Sequence, residues 1–203
     1  MKKRAVFLDR DGTLNDDVGY PGSYGRVSVF PYSFDAVRKI NAAEMLAVVI
    51  TNQSGVGRGY FSEDDLREIH RRMAEEFASR GARLDGFYFC PHYPLSADPL
   101  YRLDCVCRKP GPEMGLRAAR DLDIDLGSSY MVGDKVEDVQ FGRNIGAVPV
   151  LVLTGYGRES AKQLREEGRP PAHIGATLLE AVDWILEDAE GRAPGAGGGA
   201  RSG

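Results

Sequence analysis

Short, wholly apolar runs alternate with amphipathic segments along most of this chain, and that alternation admits few architectures. Ala5 to Leu8 (AVFL), Leu46 to Ile50 (LAVVI), Phe87 to Phe89, Tyr130 to Val132 and Val148 to Leu153 are brief and lack polar alternation. Each predicts a strand buried on both faces. Between them, Phe34, Val37 and Ile40 recur at helical spacing. Ser62 with Asp65 resembles a capping box ahead of the apolar face Leu66, Ile69, Met73 and Phe77, which Gly81 ends. Pro112 suits the first turn of a helix reaching Leu122, and another helix spans Val136 to Asn144. Thr177 to Glu187 carries Leu178, Val182, Ile185 and Leu186 on one side. Buried strands separated by helices predict an α/β fold, a Rossmann-like parallel sheet with helices on both faces.

The 203 residues suffice for one well-cored domain and are too few for two comfortable ones. Residues 1–188 form that domain in this reading, and the Gly/Ala-rich remainder, 189–203, is expected to be a disordered tail. A formal charge of −4 gives no basis for non-specific binding to nucleic acid or to a membrane surface. The apolar stretch near the start ends at Leu8, too short for a signal-peptide core, and no run approaches a membrane span. A cytoplasmic monomer is the expectation, since no exposed apolar helix face stands out.

Ligands of parallel α/β sheets bind beyond the carboxyl ends of the strands. The polar motifs fall there: Asp9 follows AVFL, Thr51 follows LAVVI, and Gly133-Asp134 follows YMV. In FLDRDGTLN an extended backbone would point the Asp9 and Asp11 carboxylates to the same side. Two adjacent carboxylates repel, which favours a divalent cation or a shared proton. A lone D-x-D-G reads better as an Asx-type turn, so the pair must be judged by its company.

That company resembles the haloacid dehalogenase superfamily of phosphatases. DRDGT resembles its first motif, TNQSG (Thr51 to Gly55) the second, Arg108-Lys109-Pro110 the third and GDKVED (Gly133 to Asp138) the fourth. The resemblance extends from Ala5 to Trp184. It implies a Mg²⁺-dependent phosphatase in which Asp9 is the nucleophile and carries an aspartyl-phosphate. Asp9 and Asp134 would hold Mg²⁺ through side-chain oxygens and Asp11 through its backbone carbonyl, leaving the Asp11 side chain as general acid and then base. Thr51 and the backbone N–H groups after it (Asn52, Gln53, Ser54) would receive the phosphoryl group, with Lys109 beside them. The chemistry agrees, because a phosphate dianion repels a carboxylate unless cations neutralise its oxygens. Asp138 either orients the site, by holding Lys109 or a metal-bound water, or is a helix-surface acid.

Cys90, His92, Cys105 and Cys107 are the chain's three cysteines and one of its three histidines gathered in one proline-rich stretch. Three thiolates and an imidazole make a tetrahedral set for structural Zn²⁺, although buried cysteines also serve as small apolar residues. Zinc here would brace the loop presenting Arg108 and Lys109. His70 and His173 lack such company and read as surface or packing residues.

This arrangement resembles the branch containing histidinol-phosphate and heptose-bisphosphate phosphatases, which lacks a large cap domain. Asn15 to Tyr32, Gly55 to Phe61 and the zinc loop would then wall the site. TNQSGVGRG, the Asp17 to Tyr20 segment and GDKVEDVQ resemble the heptose enzymes, whereas histidinol phosphatases typically carry an acidic residue at the position of Ser54. The segment Pro21 to Phe30 departs from the heptose pattern in lacking acidic residues. The resemblance implies a small sugar bisphosphate substrate, D-glycero-D-manno-heptose 1,7-bisphosphate cleaved at C7, in nucleotide-activated heptose biosynthesis. Arg108 would clamp the distal phosphate with Lys135 nearby, and Asp17 and Tyr20 would face the sugar. Arg58 is either a further phosphate ligand or a solvated loop charge. Histidinol phosphate is the alternative substrate, and a non-catalytic zinc-stabilised binding module the alternative class.

Overall fold

The computed structural model describes residues 2–192. Six parallel strands form one sheet: β1 (Ala5–Leu8), β2 (Leu46–Asn52), β3 (Gly86–Cys90), β4 (Tyr130–Gly133), β5 (Val148–Val152) and β6 (His173–Gly175), in the order β3-β2-β1-β4-β5-β6. β1 is central, with Phe7 registered against Val48 on one side and Met131 on the other. The chain builds outward from β1 through β2 to β3, then restarts at β4 on the opposite side. That reversal opens a crevice at the carboxyl ends of the central strands.

Successive strand residues point to opposite faces, so β1 feeds two cores. Val6 and Leu8 pack with residues of α1 (Pro31–Ala42), α3 (Glu63–Ser79) and α7 (Leu178–Gly191). Ala5 and Phe7 pack on the other face with α4 (Glu113–Leu122) and α5 (Val136–Asn144). A short helix, α2 (Ser54–Gly57), follows β2, and α6 (Gly157–Glu166) follows β5. The capping box forms: Asp65 N–H donates to Ser62 Oγ at 3.1 Å, and Ser62 N–H donates to the Asp65 carboxylate at 2.8 Å.

The expected strands and helices are present, with β2 and β3 running slightly longer than their apolar runs. α2, α6 and β6 were not foreseen. β6 is only three residues, and α6 buries just Gly157, Ser160 and Leu164, too little large apolar surface to mark a period. Order does not stop at Asp188: Ala189 is buried in the first core and α7 continues to Gly191. The rest of the expected tail, 193–203, lies outside the described residues. No large cap is inserted among the described residues; loops, a 3₁₀ turn (Tyr24–Arg26) and α2 occupy the upper rim. No described helix is long and apolar enough to cross a membrane.

Candidate active site

The crevice is a cleft of about 380 Å³ whose floor is made by the ends of β1 and β2 and whose wall includes the loop leading to α4. Asp9 leaves β1 with its N–H donated to Val132 O at 2.9 Å, so the strand ladder itself aims the residue. The chain then turns at Gly12 (φ 87°), where an added Cβ would lie 2.4 Å from Asp134 Oδ2. Gly155 (φ 50°) approaches the same oxygen, and a Cβ there would lie 2.2 Å from it. Two glycines thus let backbone close around Asp134, and Tyr156 N–H donates to its Oδ2 at 2.7 Å.

Lys109 reaches into this nest from the opposite side. Its Nζ lies 2.8 Å from Asp9 Oδ1 and 2.6 Å from Asp138 Oδ1, and donates to Ile50 O at 3.0 Å. All three charged side chains are buried. Asp138 is therefore no surface acid. It holds Lys109, and its other oxygen accepts from Lys135 N–H at 2.9 Å at the start of α5. Burial pushes Asp9 up to about 6, with Lys109 pulling back and Asp138 adding to the rise. Burial and the neighbouring Asp9 and Asp138 push Asp134 up to about 7. Burial would lower Lys109, but Asp138 and Asp9 outweigh it and keep the ammonium charged.

Asp11 has different surroundings. Burial favours its neutral form, yet Arg10 and two amide donors outweigh that and hold the carboxyl below its usual range. Arg10 Nε and Nη2 donate to it at 3.1 and 2.8 Å, Asn15 Nδ2 at 3.0 Å and Gln53 Nε2 at 2.8 Å. Gln53 also donates to Thr51 Oγ1 at 3.0 Å, so its amide orients both groups. The Asn52 amide grips the Lys109 backbone, donating to Lys109 O at 3.2 Å and accepting from Lys109 N–H at 3.0 Å. Sequence reasoning missed Arg10 and Asn15, while His70 packs, one of the two roles expected of it. Arg10 is fully buried, and its Nη1 donates to His70 Nε2 at 3.3 Å. The His70 ring stacks on Phe87 at 4.7 Å, and burial, then Arg10, push it down to about 3. A basic residue between two acids at a strand end was the available signal.

The remaining expected residues divide. Asp17, Tyr20, Ser54, Arg108 and Lys135 line the cleft with Asp9, Asp11, Thr51 and Lys109. Lys135 Nζ pairs with Asp17 at 3.2 Å, and Arg108 is exposed. Arg58 does not line the cleft. Its guanidinium lies 3.7 Å over the Tyr93 ring and 5.8 Å from that of Tyr20, held by cation–π attraction at the rim. His173 packs, stacked on Trp184 at 4.7 Å.

The residues fit Mg²⁺. Asp9, Asp134 and Asp138 bring carboxylate oxygens within 4.8 Å of one another, and Asp134 Oδ1 is buried without a hydrogen-bond partner. Both Asp138 oxygens are already engaged, which leaves Asp9 and Asp134 as hard-oxygen donors for a cation. The cysteine cluster fits Zn²⁺ in the same sense. Sγ–Sγ separations are 3.1 to 3.5 Å, and His92 Nδ1 lies 3.1 Å from Cys107 Sγ and 3.6 Å from Cys90 Sγ. The four donors are grouped closely, at edges shorter than the ~3.8 Å of a zinc–thiolate tetrahedron, and their number and type suit a closed structural site.

The HAD-hydrolase-like family matches residues 106–181. A D-glycero-beta-D-manno-heptose-1,7-bisphosphate 7-phosphatase of Pasteurella multocida is 44% identical over 181 residues, 89% of this chain and 93% of that protein. The D-glycero-alpha-D-manno-heptose-1,7-bisphosphate 7-phosphatase of Burkholderia mallei is 42% identical over 153 residues, 75% of this chain and 81% of its own. Among solved structures, the D,D-heptose 1,7-bisphosphate phosphatase of B. bronchiseptica, complexed with magnesium and phosphate, superposes with a TM-score of 0.79 at 33% identity. That match covers 92% of this chain and 99% of the other. With four motifs converging on one cleft and relatives of this identity spanning nearly the whole chain, the protein belongs to the D-glycero-D-manno-heptose-1,7-bisphosphate 7-phosphatase family of HAD-like hydrolases.

Proposed function

We propose that the chain hydrolyses the C7 phosphate of D-glycero-D-manno-heptose 1,7-bisphosphate to the 1-phosphate, through an aspartyl-phosphate on Asp9. The observation that carries this reading is the buried Asp9–Lys109–Asp138 chain, at 2.8 and 2.6 Å, beside the partnerless oxygen of Asp134. A carboxylate fixed next to an ammonium, at the floor of a cleft lined by further cations, is what attack on a dianion requires.

Asp9 attacks the phosphorus as its bond to the C7 oxygen breaks, and Asp11 gives that oxygen a proton; since Arg10 and the amides hold Asp11 ionised without substrate, it must first turn from those donors and take the proton up. Thr51 and the backbone N–H groups of Asn52 and Ser54 receive the phosphoryl oxygens; that of Gln53, also expected there, is taken by Cys90 O at 2.8 Å. Lys109 offsets their charge throughout. Asp11 then takes a proton from the water that attacks the aspartyl-phosphate, which releases inorganic phosphate and restores Asp9. Mg²⁺, held by Asp9, Asp134 and the Asp11 carbonyl, would supply further charge neutralisation at the phosphoryl group. Arg108, exposed on the zinc loop and facing the cleft, is placed to fork onto the distal phosphate, with Lys135 across from it. Thiolates holding zinc fit a reducing, cytoplasmic setting.

The test is a comparison of kcat/KM for heptose 1,7-bisphosphate, as both anomers, with that for histidinol phosphate. A preference for either heptose anomer by more than about tenfold is expected, the discrimination that one extra bidentate contact provides. Preference for histidinol phosphate would overturn the substrate, and an Asp9→Asn protein with normal turnover would overturn the mechanism.

A further inference from the structure

The sequence motifs supply the cleft from the ends of β1, β2 and β4 and from the loop before α4, but a residue that none of them marks reaches it from the end of β5. Tyr156 lines the cleft beside Lys135, whose Nζ lies 4.9 Å from the centre of the Tyr156 ring. The backbone under that ring is fixed. Tyr156 N–H donates to Asp134 Oδ2 at 2.7 Å, and Tyr156 O accepts from Ser160 N–H at 3.0 Å in the first turn of α6. The residue is 55% exposed, so its ring is not spent on packing the core.

Lys135 gains from such a neighbour. Burial would lower its pKa, but Asp9, Asp134 and Asp17 outweigh that and hold the ammonium above the ordinary lysine range. Its Nζ already pairs with Asp17 at 3.2 Å. Several carboxylates thus compete for one charge on a flexible four-carbon stem. A carboxylate that captures an ammonium also neutralises it. A ring face attracts the charge through its quadrupole without cancelling it, and leaves the N–H groups that point away from the ring free for an anion.

We infer that Tyr156 is a positioning residue for the phosphate that is not cleaved: its ring face holds the Lys135 ammonium over the cleft as that ammonium leaves Asp17 for the second phosphate. This rests on the bisphosphate reading, with Lys135 serving the distal phosphate. The ring acts through Lys135, so its benefit falls on substrates that carry both phosphates.

The experiment measures kcat and KM for heptose 1,7-bisphosphate and for the same sugar carrying only the C7 phosphate. Tyr156→Phe keeps the ring and drops the hydroxyl; Tyr156→Leu and Tyr156→Met keep apolar bulk without a ring. Lys135→Met and the double variant Tyr156→Leu/Lys135→Met complete the set. The ringless variants are expected to raise KM for the bisphosphate about fivefold, with its kcat and the KM of the monophosphate moving less than about twofold. Tyr156→Phe is expected to stay within about twofold of the parent on both substrates. Lys135→Met is expected to raise KM for the bisphosphate about tenfold, and adding Tyr156→Leu to it to change that by less than about twofold. Equal losses on both substrates would overturn the inference, because the ring would then be packing on the sugar. So would a Phe variant as weak as Leu, additive losses in the double variant, or failure of both ringless variants to fold. If Lys135→Met affects both substrates alike or neither, Lys135 does not serve the distal phosphate, and the inference falls with that reading. If Lys135→Met is selective while the ringless variants behave as the parent does, the positioning role alone fails.

Discussion

At the scale of single residues, Asp138 shows how much a side chain's meaning depends on what it faces. Along α5 it reads as an ordinary acid in a first helical turn, yet it is buried with one oxygen on Lys109 and the other on a backbone N–H. Removing one partner of a buried, hydrogen-bonded charge pair costs about 3 kcal/mol, and a displaced cation beside the nucleophile costs on the order of a hundredfold in kcat. Asp138→Asn is expected to show both, by thermal unfolding and by steady-state rates, while Mg²⁺ still binds. The raised values of Asp9 and Asp134, about 6 and 7, predict a pH dependence of metal affinity. A cation needs both carboxylates deprotonated, so Mg²⁺ affinity should be flat above pH 8 and weaken as pH falls through 7 and then 6. Calorimetric titration at pH 8 and pH 5.5 should differ by on the order of tenfold or more. The sign for folding is opposite in the metal-free protein. Both carboxyls titrate higher folded than unfolded, so their contribution is fully present at low pH and lost as pH rises through about 6 and 7.

At the scale of elements, the cysteine–histidine loop, proposed to hold zinc, and the β1 turn hold the cleft from two sides. Cys107 directly precedes Arg108 and Lys109, and the Asn52 amide clasps the Lys109 backbone from β2. Removing zinc with a strong chelator, or substituting Cys107→Ser, should release about one zinc per chain and raise KM for the bisphosphate, because Arg108 loses its mounting. Substituting Arg108→Ala should leave the zinc in place and raise KM for the bisphosphate about tenfold, with little change for a sugar carrying only the C7 phosphate. Paired measurements on the two substrates check this. The α6 segment and β6 taught a different lesson. Neither buries enough large apolar surface to show a period, and both are ordered because β5 and its neighbours were already there to pack against.

At the scale of the whole molecule, six parallel strands bring Asp9, just after β1, beside Thr51 in β2 in one cleft and within 4.8 Å of Asp134, just after β4, although the three are far apart in sequence. In the proposed reading Mg²⁺ is held where these ends meet, so it should stabilise the fold by mass action. At about a hundredfold over its dissociation constant the gain is about 2.7 kcal/mol, read as a higher Tm that Asp134→Asn abolishes.

Strand-end placement of Asp9, Thr51 and Asp134, the sheet class and the cysteine–histidine cluster were legible in the chain alone. Apolar runs of strand length dictate burial, and the polar residues that interrupt them must then fall at the sheet's carboxyl edge. Which group touches which was not legible. That Gln53 and Asn52 serve Asp11, Thr51 and Lys109, that Arg58 lies on Tyr93, and that a buried histidine sixty residues from Arg10 anchors it are all decided by packing between elements. Local sequence sets the face and the end from which a side chain projects. Only the assembled sheet, with β1 between β2 and β4, sets the few ångströms across which hydrogen bonds and charges act.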